Sequence, residues 1–214
     1  MAYINSDSTS RGFLQVAGTA ALERFVTQTG RDVTDPETRA SALDRYKARR
    51  KARGQEGDLR LTALGSGSDY TVFLHHLGIP SLNIGFGGEG SYGVYHSIYD
   101  SYDHFIRFVD PDFQYTVTTA QLGARMVLRL ANADVVPLQM APVAKEVSQW
   151  TAEVMELAQK MRKDTQTRNE LIRSSALKQA ADPRLPYVAP APEEEVPFLN
   201  FALLQNAEIG RAHV

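Results

Sequence analysis

Three short stretches of this chain hold the side chains that could do chemistry: AYINSDS (2–8), LGSGSD (64–69) and YGVYHSIYDSYDHF (92–105). Asp7 offers a hard carboxylate and His96 an imidazole, a pair of donor types well suited to zinc. Ser66 and Ser68 offer hydroxyls on a Gly-rich turn, and Tyr95 adds an aromatic ring with a polar tip beside His96. Taken singly, each has a plain structural reading. An Asp just past a strand end is commonly a turn former or helix cap, and a lone His between Tyr95 and Ser97 is more often structural than catalytic.

Other chemistries fit less well. Gly85, Gly87 and Gly90 satisfy G-x-G-x-x-G after a strand, but the following SYGVYHS opens no amphipathic helix, and no acid ends a second strand. A nucleophile elbow needs Gly two residues after the serine; Ser68 has Tyr70 there, and Ser66 fails likewise. A Ser-His-Asp arrangement of Ser68, His96 and Asp7 stays open as an alternative. His75 and His76 are adjacent on an expected helix, so they point about 100° apart and do not share one metal. His104 sits between Asp103 and Phe105 in an expected turn.

The composition narrows the field. The 214 residues are 43% hydrophobic and 22% charged, with a formal net charge of -2, which favours neither nucleic acid nor an anionic membrane as partner. Without cysteine there are no disulfides, zinc ribbons or thiol catalysis. No apolar run approaches transmembrane length, and MAYINSDS lacks the features of a signal peptide.

The elements that must position these residues alternate between strand and helix through the first two-thirds, giving an α/β class followed by a helical region. A strand ends at Ala2–Asn5, and a helical pattern runs from about Gly18 with Leu22, Phe25 and Val26 facing a core. Thr34, Asp35, Pro36 and Glu37 read as a capping box that opens the helix holding KARRKAR, itself read as a solvated face. Asp69 is placed to cap YTVFLHHLG, which Gly78 ends. IPSLNIGF is a short buried strand, and GGEGSYG a flexible loop. Asp110-Pro111 opens a long helix with Val117, Ala120, Val127, Leu128 and Leu130 as its apolar positions. From Ala141 a glycine-free amphipathic helix carries Val143, Val147, Trp150, Val154, Leu157 and Met161 on one stripe. An extended Pro- and acid-rich segment, DPRLPYVAPAPEEEVP, and a last helix, FLNFALLQNAE, follow.

The three stretches, in this order and rough spacing, together with the helix DPDFQYTVTTAQLGARMVLRLANADVVPL, resemble the glutamate carboxypeptidase II-like branch of the M28 zinc metallopeptidases. The helical tail is similar to that branch's transferrin-receptor-like dimerisation domain. The resemblance implies the C-terminal half of a catalytic α/β domain at 1–140, a helical dimerisation domain at 141–208, and two zinc ions per complete site. It implies that Asp7 is a terminal ligand of one zinc, His96 a ligand of the other, and Tyr95 a substrate contact. Ser66, Gly67 and Ser68 correspond to a segment lining the substrate cleft. The general base, the bridging Asp and the remaining ligands lie, in that family, ahead of the strand that here begins at Met1. The chain is therefore expected to be a fragment of an exopeptidase, inactive alone, with a peptide substrate, a homodimer through the C-terminal helices, and a secreted, periplasmic or membrane-anchored address.

Some features depart from the family pattern. The arginine-rich stretch of glutamate-specific members is absent between Ile84 and Gly93, and PAPEEEVPF has no counterpart of the Lys-Tyr pair that grips a terminal glutamate. A less specific aminopeptidase or carboxypeptidase is expected. The final IGRAHV resembles the translation of a sequencing-library adapter, so 209–214 is expected to be a non-native tail. Two alternatives stand beside the zinc peptidase: a receptor-like dimerisation module without metals, and a serine hydrolase using Ser68.

Overall fold

A computed structural model describes residues 1–90 and 94–211, with side chains through residue 207. The loop residues 91–93 and the last three residues of the expected tail lie outside the described residues. The chain divides into two compact units, Met1–Val143 and Ala144–Val214.

The first unit is built on three strands: β1 (Tyr3–Asn5), β2 (Gly12–Gly18) and β3 (Ser81–Gly88), in the order β1-β3-β2. The central β3 pairs parallel with β1 (Ile4 opposite Leu82) and antiparallel with β2 (Leu14 opposite Phe86). A 3-10 turn at Ala20–Leu22 leads into α1 (Glu23–Arg31), and α2 follows at Ala42–Ala52. A π-helical turn (Val72–His76) precedes β3; after it come α3 (Tyr102–His104), a second π-helical turn (Phe105–Val109) and α4 (Gln114–Ala131). Leu14, Leu22, Phe25, Val26, Leu43, Leu82, Phe86, Leu122 and Met126 close the core between the sheet and α1, α2 and α4. Burial of side chains of this size contributes roughly 1.5–3 kcal/mol each before entropy is counted.

The expected strand at Ala2–Asn5, the buried strand around IPSLNIGF and the helix after Asp110-Pro111 are all present. The structure adds one strand and departs from the sequence reading in two places. The segment ahead of Gly18 forms β2, which the loose alternation of FLQVA did not reveal. Asp35 opens no helix: its carboxylate accepts from Glu37 N (3.2 Å), Thr38 N (2.8 Å) and Thr38 Oγ (2.9 Å), folding a turn. The helix starts seven residues after the expected capping aspartate, at Ala42, where Ser41 Oγ accepts from Asp44 N (3.0 Å). On α4, Val117, Val127 and Leu128 are exposed, and Tyr115, Thr118, Thr119, Leu122 and Met126 are buried.

In the second unit, α5 (Met140–Arg173) supplies the long helix, and its buried positions are Thr151, Ala158 and Thr165. The stripe of Val147, Trp150, Val154, Leu157 and Met161 is exposed, from 38% at Val147 to 54% at Leu157. The helix does not run unbroken to Ala181: Ser175 adopts a left-handed conformation (φ 60°), separating α5 from α6 (Ala176–Ala180). The extended segment returns along α5 and is pinned at Glu193, which meets Arg168 Nε at 2.8 Å and exchanges backbone bonds with the Asn169 amide at 2.8 and 2.9 Å. The last helix, α7, spans Ala202–Arg211. Among the described residues no helix is long and apolar enough to cross a membrane.

Candidate functional site

Because β1 and β3 are parallel, their carboxyl ends lie at the same end of the sheet, where α/β proteins gather functional groups. Asp7 follows β1 by two residues, and the segment with Tyr95 and His96 follows β3.

The loop after β1 is held tightly. Gly85 lets the Ser8 carbonyl approach β3, since a Cβ at Gly85 would lie 2.5 Å from that oxygen. Ser10 N donates to Phe86 O (2.9 Å), and the hydroxyls of Thr9 and Thr119 meet at 2.7 Å, tying the loop to α4. Buried Asn5 links three segments, its Nδ2 donating to Asn83 Oδ1 (2.9 Å) and to Ser68 Oγ (3.0 Å). Tyr3 stacks on Phe73 with ring centroids 3.9 Å apart, seating the π-helical turn that follows the GSGSD segment.

His96 is one of four non-glycine residues in the left-handed region among the described residues, at φ 58°. Such a conformation is uncommon for a residue with a Cβ and collects at functional sites. Its ring stacks on Tyr95 at 3.8 Å, and the turn is closed by Ser97 N donating to Val94 O (2.9 Å).

Asp7, Gly67, Tyr95 and His96 line one cavity of about 1090 Å³. Ser66 and Ser68 are not among its lining. Ser66 is exposed, and Ser68 Oγ accepts the Asn5 bond described above. His75 Nε2 reaches the Gly65 carbonyl at 2.7 Å, which accords with the structural role expected for it. Asp100, which the sequence reading did not single out, and His104, which it left in an expected turn, line the same cavity. Both belong to the stretch YGVYHSIYDSYDHF, but only the path of the chain after His96 brings them to the cavity. Among the described residues, no group of three or more His, Cys, Asp or Glu is arranged to hold a metal.

A second polar cluster braces this segment from behind. The Arg45 guanidinium donates to Asp35 Oδ2 (2.7 Å), Glu37 Oε2 (3.3 Å), the Tyr115 hydroxyl and the Glu89 carboxylate. Burial works against the Arg45 charge, but Asp35 and Tyr115 outweigh it and raise the pKa above its ordinary value. Burial raises Tyr115 well above the usual phenol range. Burial also pushes Glu37 upward, yet Arg11 and Tyr115 together hold it below the ordinary carboxylate value. Arg45 thus touches Glu89, at the start of the loop leaving β3, and Tyr115, in the first turn of α4. No sequence motif marks it.

No family model matches the chain. Over 149 residues it is 30% identical to a probable glutamate carboxypeptidase of Arabidopsis thaliana, covering 69% of this chain and 21% of the relative. Over 154 residues it is 30% identical to a probable glutamate carboxypeptidase of Arthroderma benhamiae, covering 70% and 20%. The aminopeptidase NAALADL1 of Mus musculus is 26% identical over 163 residues, covering 70% and 22%. The chain therefore spans about a fifth of the length of the curated relatives it matches.

Proposed function

The chain belongs with the glutamate carboxypeptidase-like peptidases, to one segment of which it corresponds, and from that we propose that it supplies part of a zinc-dependent exopeptidase site. The observation that carries this reading is the shared cavity: Asp7 and His96, from loops after two parallel strands, line it together with Tyr95.

The donor chemistry fits zinc, an exposed carboxylate facing the same space as an exposed imidazole. Asp7 would hold one zinc and His96 the other. Zinc bound there supplies Lewis-acid polarisation of a carbonyl and a hydroxide at neutral pH. Asp7 keeps its place because Gly85, Thr9 and Ser10 fix the loop behind it. Tyr95, stacked on His96 and largely exposed, presents an aromatic face and a hydroxyl to a peptide, and Gly67 lines the same cavity without a side chain. The general base is assigned to no residue of this chain. Two donors fall short of the roughly three protein ligands of a catalytic zinc, so the chain alone is inactive as a peptidase. The regions 1–140 and 141–208 correspond to half of a zinc-peptidase α/β domain and to a helical dimerisation domain, and the partner of α5 is a second copy of the chain. The missing arginine-rich stretch between Ile84 and Gly93 favours a broad aminopeptidase or carboxypeptidase over one restricted to glutamate.

Zinc calorimetry on the chain tests the assignment. Weak binding is expected, abolished in both Asp7→Ala and His96→Ala. Two tight equivalents would overturn the incomplete site, and binding indifferent to both substitutions would overturn the ligand assignment.

A further inference from the structure

The helix that carries KARRKAR lines a second cavity, of about 640 Å³, beside β2. Arg49, Arg50, Arg53 and Arg60 line it, with Gln15, Gln55, Thr62 and Asn83 as neutral polar groups and no carboxylate. Among the described residues, none of the four arginines forms a salt bridge. Elsewhere in the same chain Arg11, Arg45, Arg107, Arg129, Arg168 and Arg184 all do.

A guanidinium has five donors to satisfy, and here they are poorly served. Arg49 Nη2 reaches Gly88 O at 3.4 Å, and Arg50 Nη1 reaches only Tyr46 Oη and Asp58 O, at 3.4 and 3.5 Å. Arg50 Nε is buried with no partner at all. A buried donor without an acceptor is destabilising, and such an atom marks a place for a water or an ion. Burial, followed by the charge of Arg53, lowers the Arg49 pKa, while the Glu89 carboxylate acts in the opposite direction.

We propose that this cavity is a binding site for a small, multiply charged phosphate compound. Arginine forks match phosphate oxygens two at a time, and four arginines without a salt bridge favour a ligand of several negative charges. The volume lies in the range of small-molecule sites. The chain's formal net charge of -2 and the concave shape of the cavity argue against an extended nucleic acid. This site does not depend on the zinc reading.

Calorimetric titration of the whole chain with inorganic pyrophosphate, at fixed ionic strength, tests the proposal. One saturable equivalent is expected. Arg49→Gln and Arg53→Gln should each weaken it about tenfold, whereas Lys51→Gln, on the same helix but outside the lining, should leave it unchanged. Arg53 is exposed at the end of α2, so its variant keeps the test valid if Arg49→Gln fails to fold. Absence of saturable binding, or an equal loss in Lys51→Gln, would overturn the site. Citrate binding as tightly as pyrophosphate would overturn the phosphate class.

Discussion

Arg45 Nη1 lies 2.7 Å from Asp35 Oδ2, with the arginine side chain 10% exposed and the carboxylate fully buried. Two charges taken out of water survive only when nearly every donor and acceptor is met. Here Asp35 also accepts three bonds from its own turn, and Arg45 spends its remaining donors on Glu37, Glu89, Tyr115 and the Gly12 carbonyl (3.3 Å). Removing one partner strands the other. Arg45→Met is expected to lower stability by about 3–5 kcal/mol in urea unfolding. Arg184→Ala, which breaks an exposed pair with Asp182, should leave the urea midpoint almost unchanged. An Arg45→Met, Asp35→Asn double variant should recover part of the loss.

The same guanidinium closes the stretch between Glu89 and Tyr115, which includes Tyr95 and His96. Glu89→Gln weakens one end of that closure and leaves the sheet intact. Amide hydrogen exchange over residues 94–109 is expected to speed up, while β3 and α4 keep their protection. Unchanged exchange in that stretch would mean that the loop is held by its own turns.

Glu37 is held below its ordinary value of 4.5. A carboxylate depressed in the folded state contributes stability that is present above its unfolded value. That contribution is lost as pH falls through the folded value. Stability should therefore drop on acidification below about pH 4.5, and Glu37→Gln should flatten that part of the pH profile. Thermal melts between neutral pH and pH 3 make the comparison.

Gly85→Ala places a methyl group 2.5 Å from the Ser8 carbonyl. Backbone on both sides leaves little room to yield, and the loop carrying Asp7 must move. A destabilisation of about 1–3 kcal/mol is expected, together with weaker zinc binding than in the parent chain. The two effects are read separately, by denaturation and by calorimetry.

Trp150 and Leu157 on α5 are 43% and 54% exposed on the same stripe. If a second copy covers them, sedimentation velocity gives a concentration-dependent dimer, and Trp150→Glu with Leu157→Glu gives a monomer of unchanged helicity. A monomer at high concentration before any substitution would contradict the proposed partner.

The central strand, the opening of α4 at Asp110-Pro111 and the closeness of Asp7 to a strand end are legible in the sequence, because each rests on a local signal. The buried faces of the helices are not. Thr118 and Thr119 on α4 donate to the carbonyls of Gln114 and Tyr115, at 2.7 and 2.8 Å. Thr151 on α5 does the same to Val147 at 2.9 Å. A threonine satisfied four residues back buries a methyl group and no orphan hydroxyl, so these helices hide threonines, on α4 beside Leu122 and Met126, while Val117, Val127, Leu128, Val154 and Leu157 face outward. Hydropathy reads that pattern inverted. The Arg45 cluster was hidden for another reason: its members lie up to 80 residues apart, from Asp35 to Tyr115. Only the assembled fold brings them to one guanidinium.

The left-handed backbone at His96 also bears on how the position can change over evolutionary time. Asparagine is among the non-glycine residues that enter that region most readily, and a histidine codon becomes an asparagine codon by one nucleotide substitution. Replacing the imidazole there would remove the proposed metal donor at small conformational cost. A lineage could disarm this position and keep its loop, so a metal-free relative of this chain should be sought among sequences with Asn after the tyrosine.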